Sequence, residues 1–234
     1  MPEALLTVDA LTVVYDQFRA THDIDLAVDA GEIVSVIGAN GAGKSSLLKA
    51  IVGNARLASG SICFEGSDLA GKTTAQIVKA GIALVPEGRR LFPSLTVEEN
   101  LQIGSSVGRP GEITLATIYE YFPALADKRR QLARELSGGQ QQMVALGRAL
   151  LTNPRLLLCD EISLGLAPVI VNSLYEIIPA LARRGIGVLV VEQDITRSLA
   201  VADRFYCLLE GKVTLTGRPA EVSRETVMRH YFGL

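Results

Sequence analysis

Residues 38–45 read Gly38-Ala39-Asn40-Gly41-Ala42-Gly43-Lys44-Ser45, and they follow Glu32–Gly38, a run of Ile, Val and Ser without polar–apolar alternation. Such a run suits a strand covered on both faces. Ser45–Val52, after the loop, has the texture of a helix. The eight residues match G-x-x-x-x-G-K-[ST] in the strand–loop–helix context that gives the pattern its meaning. Glycine-rich turns let the backbone close around an anion with its N–H groups pointing inward. The following helix adds the positive end of its dipole. Lys44 supplies an ammonium for terminal phosphates, and the Ser45 hydroxyl is a ligand for Mg²⁺. Gly38, Asn40, Gly41, Ala42, Gly43, Lys44, Ser45 and Ser46 are therefore the residues expected around bound phosphate.

Outward from this loop, alternation over Leu5–Tyr15 and Thr21–Val28 predicts antiparallel strands, and Ser61–Phe64 and Ile82–Val85 read as further strands. From Glu87 to Arg155 helical segments dominate: Val97–Ile103, Leu115–Tyr121 and Gly138–Leu151, broken by a Gly-Arg-Pro-Gly turn at 108–111. Strand–helix alternation resumes with Leu156–Cys159, a helix near Val169–Arg184, Gly187–Val191, a helix near Ile195–Ala202, and strands Arg204–Leu209 and Lys212–Thr216. That order predicts a mostly parallel α/β sheet with a helical block inserted into it.

The chain has 234 residues, 48% of them apolar, which is enough for one large core with a smaller subdomain. A net charge of −2 gives no basic excess for a nucleic-acid partner. Cys63, Cys159 and Cys207 are scattered and odd in number, and read as small core residues in a reducing compartment. The start lacks a signal-peptide pattern, and no apolar run approaches the roughly 20 residues of a membrane helix. The expectation is a cytoplasmic protein that reaches a membrane only through a partner.

Leu156-Leu-Leu-Cys-Asp160-Glu161 is an apolar strand ending in two carboxylates. In an open parallel sheet, ligands bind beyond the carboxyl ends of the strands, so Asp160 is expected beside the phosphate loop to hold Mg²⁺ through water. Glu161 is then placed to act as general base on an attacking water. Leu136-Ser137-Gly138-Gly139-Gln140 opens an apolar helix with a capping box between Ser137 and Gln140. Gly138 and Gly139 leave that helix start open to a second phosphate. One site already served by residues 38–45 has little use for it; a nucleotide on another molecule does.

With these motifs in this order, the whole chain resembles the ATP-binding subunits of ABC transporters, whose LSGGQ signature stands unaltered at 136–140. The resemblance implies a P-loop ATPase core of ABC type at 1–86 and 156–234, including an antiparallel β subdomain, with a helical subdomain at about 87–155. It implies two such subunits packed head to tail, with ATP between the phosphate loop of one and the signature of the other. Tyr15 sits where the family stacks an aromatic ring on adenine, and Ser163-Leu-Gly-Leu166 follows Glu161 as the family's D-loop does. Glu87 stands where most members carry a glutamine that approaches nucleotide and metal. Gln193 replaces the usual switch histidine; its amide can bond the γ-phosphate but cannot take up a proton. Ile162 replaces a common proline, and Cys159 a common leucine.

The spellings VPEGRRLFPSLTVEENL and SLGLAP, with Glu192-Gln193, resemble the subgroup that energises bacterial uptake of branched-chain and related hydrophobic amino acids, in its short, F-type subunit. Urea and amide importers use similar subunits, and both readings stay open. Implied partners are transmembrane permease subunits, a second ATP-binding subunit (the same or a homologous chain) and, indirectly, a solute-binding protein. The permease contact is expected near Glu87–Glu99, with Arg89, Arg90, Leu91 and Phe92 beyond the loop that passes on changes at the γ-phosphate. ABC proteins acting on ribosomes or DNA usually carry two cassettes, a coiled-coil insertion or basic extensions, none of which this sequence contains.

Overall fold

Every residue of the central strands Ile33–Ile37, Leu156–Asp160 and Gly187–Glu192 is buried, so the sheet they form is covered on both faces. The structure, a computed structural model, describes residues 4–234. The chain opens with β1 (Leu6–Tyr15), β2 (Phe18–Arg19) and β3 (Ile24–Val28), all antiparallel around β1. Next come β4 (Ile33–Ile37), α1 (Lys44–Ile51), β5 (Leu57–Phe64), β6 (Ser67–Asp68), α2 (Thr74–Ala80) and β7 (Ile82–Val85). Four helices follow without a strand: α3 (Val97–Val107), α4 (Leu115–Tyr121), α5 (Pro123–Ala126) and α6 (Gly138–Leu150). The chain ends with β8 (Leu156–Asp160), α7 (Pro168–Arg183), β9 (Gly187–Glu192), α8 (Ile195–Val201), β10 (Arg204–Leu209), β11 (Lys212–Gly217) and α9 (Arg224–Phe232).

The main sheet has the order β11-β10-β4-β9-β8-β7, parallel except for β11. A second, antiparallel sheet runs β2-β1-β5-β6, with β3 also on β1. Side chains on a strand point to opposite faces in turn. Val34, Val36, Leu156, Leu158, Leu189 and Val191 therefore meet Leu47, Leu48 and Ile51 of α1 and the apolar face of β1 and β3. Leu157, Cys159, Val188 and Val190 meet α6 and α7 on the other face, through Val144, Leu174, Ile178 and Leu181. Each such side chain contributes about 1.5–3 kcal/mol by leaving water, which is why β4, β8 and β9 read as unbroken apolar runs.

Two helices stand where the sequence shows no pattern. α2 buries only Ile77 and α9 only Val227, so neither carries an apolar stripe. Side-chain caps define their starts instead: Thr73 with Gln76, and Ser223 on the N–H of Thr226. β5 begins at Leu57, four residues before the predicted Ser61, because Ala58–Gly60 are exposed and held by pairing to β1 alone.

Candidate nucleotide site

Four neighbouring strands end on one edge of the main sheet, and each delivers a residue to the same place. Ile37 of β4 pairs with Glu192 of β9, Val191 with Asp160 of β8, and Cys159 with Val85 of β7. The phosphate loop, Gln193, Asp160 with Glu161, and Glu87 therefore leave the sheet side by side. A cavity of about 470 Å³ lies beyond this edge, lined among others by Asn40, Gly43, Lys44, Ser45, Glu87, Glu161 and Gln193.

The loop geometry depends on Gly43, whose φ of 99° is left-handed and where a Cβ would lie 2.6 Å from the carbonyl oxygen of Ala20. Gly43 caps α1 with no side-chain acceptor, so the first N–H groups of the helix stay free for an anion. Lys44 is 4% exposed, and its ammonium donates to the carbonyls of Gly38 (2.8 Å) and Ala39 (3.1 Å). It also pairs with Oε1 of Glu161 at 3.3 Å. The other Glu161 oxygen accepts a short hydrogen bond from the amide of Gln193. Glu161 has a φ of 47°, a conformation that costs a non-glycine residue about 1–3 kcal/mol and gathers at functional sites.

The Ser45 hydroxyl donates to Oδ1 of Asp160 at 3.3 Å. Burial pushes the Asp160 carboxyl up to about 6; Ser45 and Lys44 oppose the shift, while Glu161 and Glu87 add to it. This hydroxyl–carboxylate pair is a hard oxygen donor set that fits Mg²⁺, leaving the remaining ligands to phosphate and water. Among the described residues no three His, Cys, Asp or Glu side chains gather into a metal cluster.

Tyr15 is 40% exposed and does not line the cavity; Phe18, its partner across the β1–β2 turn, is 67% exposed and does. Sequence reasoning missed Phe18, although two aromatics three residues apart around a tight turn were there to be read. It also missed Leu164, exposed beside Glu161 and on the cavity wall.

The signature lies elsewhere. Ser137 caps α6, accepting from the Gln140 N–H at 3.4 Å while the Gln140 side chain accepts from the Ser137 N–H at 3.1 Å. Ser137 is exposed, and none of Ser137, Gly138, Gly139 and Gln140 lines the cavity. Gly139 is needed for packing, since a Cβ there would stand 2.8 Å from Ile170. The guanidinium of Arg89 lies against Gly138 and donates to Gln141 at 3.3 Å, and Gln141 in turn holds the carbonyls of Ala133 and Leu136. Arg148 donates to the Arg89 carbonyl at 3.1 Å and stacks on the exposed ring of Phe92, while Leu91 packs into the core.

The model of the ABC transporter family matches residues 21–163, which run from the end of the first hairpin through phosphate loop, signature and carboxylates. The chain belongs to the ABC transporter family. As an ABC ATPase it binds and hydrolyses ATP. The cassette is 46% identical to the high-affinity branched-chain amino acid transport ATP-binding protein BraG of Pseudomonas aeruginosa, over 90% of this chain and 91% of that one. It is 32% identical to the lipopolysaccharide export system ATP-binding protein LptB of Haemophilus influenzae, over 98% of both. In three dimensions it resembles an ATP-binding cassette of an ABC transporter solved in its ADP conformation. The TM-score is 0.86 at 28% identity, over 99% of this chain and 100% of the other.

Proposed function

We propose that this ABC ATPase energises an importer of branched-chain or related hydrophobic amino acids, working as one of two cassettes beneath a permease. The observation that carries the substrate class is the 46% identity to BraG over nine-tenths of both chains, against 32% to the export protein LptB. The two-cassette arrangement is supported by the signature helix, which opens to solvent away from the chain's own cavity. No helix among the described residues is long and apolar enough to cross a membrane. In this reading the cassette sits on the inner face of the membrane through the permease.

In the ATP-bound state the free N–H groups at the start of α1 take the phosphates, and Lys44 leaves Glu161 for the terminal one. Ser45 and Asp160 would hold Mg²⁺, which would supply neutralisation of phosphate charge, and Glu87 lines the same cavity. Glu161 then takes a proton from the attacking water as its oxygen bonds to the γ-phosphorus and the bond to the β–γ bridging oxygen breaks, giving ADP and inorganic phosphate. Gln193 orients the Glu161 carboxylate. Tyr15 and Phe18 flank the place for adenine.

The test is uptake in the native host after deletion of the gene. Labelled leucine, isoleucine and valine should no longer enter at wild-type rate, while urea and acetamide uptake is unchanged. Loss of urea or amide uptake with leucine uptake intact would move the assignment to the amide importers.

A further inference from the structure

Glu192, the last residue of β9, is 2% exposed, yet it forms no ion pair among the described residues. A buried carboxylate without a cation is costly unless hydrogen bonds satisfy it. One residue satisfies this one at both oxygens: the Ser163 N–H donates to Oε1 at 3.2 Å and the Ser163 hydroxyl to Oε2 at 2.8 Å. Burial pushes the Glu192 carboxyl up, and the Ser163 hydroxyl bond opposes it. Glu192 also adds to the burial that raises the Cys159 thiol and the Tyr175 phenol. A leucine here would fill the space at no electrostatic cost, so a reason for the charge must lie in what it holds.

What it holds is the turn that carries Glu161. Three consecutive residues at the end of β9 grip residues 161–163. The Val191 carbonyl accepts from the Glu161 N–H at 2.9 Å, Glu192 binds Ser163, and the Gln193 amide bonds the Glu161 carboxylate. The Glu161 backbone is left-handed inside this grip, a conformation that persists only where its surroundings over-determine it. Leu164, next to Ser163, reaches the cavity wall.

We propose that Glu192 is a positioning residue: by binding Ser163 at two points it fixes the turn that aims Glu161, and it ties the 163–166 loop to the strand end carrying Gln193. The inference rests on Glu161 being the general base. A shift of the loop, as when a partner cassette meets Leu164, reaches Glu161 through this clamp.

Glu192→Gln keeps the shape and removes the charge and one of the two acceptors. Turnover of the purified full chain should fall roughly ten- to a hundredfold, the cost of a misplaced catalytic group. ATP affinity should stay within about twofold, and Tm should hold or rise because a buried charge is gone. Ser163→Ala should lower turnover likewise, and the double variant should be no worse than the poorer single. A lowered Tm with turnover per folded molecule unchanged would make Glu192 a structural brace and overturn the proposal, as would additive losses in the double variant. Glu161→Gln is measured alongside. If it keeps wild-type turnover, the base assignment fails; if it stops turnover while Glu192→Gln and Ser163→Ala do not slow it, only the positioning role fails.

Discussion

Lys44 and Glu161 share a buried ion pair: the ammonium lies 3.3 Å from the carboxylate, with both side chains less than a tenth exposed. The residue expected to grip the terminal phosphate and the residue expected to activate water are thus each other's ionic partners. Removing either partner should therefore have opposite effects on binding. Lys44→Ala strips the β/γ charge of its main counter-ion and should abolish ATP binding at ordinary concentrations. Glu161→Gln frees the lysine and should bind ATP at least as tightly as wild type, while hydrolysis slows roughly 10²–10⁴-fold. Nucleotide titration and phosphate release measure both. Near-normal affinity in Lys44→Ala, or wild-type turnover in Glu161→Gln, would contradict these roles.

Burial pushes the Asp160 carboxyl up to about 6. Because the folded value exceeds the ordinary carboxylate value of about 4, the native state binds more protons between those limits. Stability is therefore full below about pH 4 and falls as pH rises through 6. Asp160→Asn removes that penalty, and in buffer without Mg²⁺ or ATP it should raise stability at pH 7.5 by about 1–2 kcal/mol, discounted for solvent at the cavity mouth. The gain should vanish near pH 4, and Mg²⁺-dependent hydrolysis should be lost. Denaturant melts at the two pH values decide it, and a destabilised Asp160→Asn at pH 7.5 would oppose this account of the carboxyl.

The parts of this site that were legible in the sequence are those whose chemistry is local. The loop 38–45 and the capping box of Ser137 and Gln140 depend on residues a few positions apart, and the buried strand ending at Asp160 announces itself by its apolar run. Relations between segments were not legible. That Glu192 binds Ser163, or that Arg89 lies on Gly138, follows from strand order and from the left-handed backbone at Glu161 and Arg89, neither of which leaves a periodic trace. Helices α2 and α9 escaped for a related reason: with one buried apolar residue each, they are held by caps and neighbours. Phe18 was missed because a two-residue strand gives no alternation to read.

Phe92 is half exposed at the end of the loop that begins at Glu87, with the Arg148 guanidinium 5.9 Å from its ring centre. An aromatic held in place but open to solvent suits a contact with a permease. Phe92→Asp should leave basal ATPase of the free cassette within about twofold, since Phe92 does not line the nucleotide cavity, while permease stimulation and solute uptake are lost. Wild-type uptake by a folded, membrane-associated variant would remove this surface from the contact.

If the signature of one cassette serves the nucleotide of another, blocking it must spare this chain's own ATP binding, and Ser137→Arg separates the two. The substitution puts a bulky cation at the exposed start of α6, outside the chain's own cavity. The isolated variant should bind ATP with wild-type affinity and fail to hydrolyse it. Mixing it with Lys44→Ala chains should restore at most one working site per pair. Loss of ATP affinity in the isolated Ser137→Arg chain would show that the signature serves its own nucleotide, and the head-to-tail arrangement would be wrong.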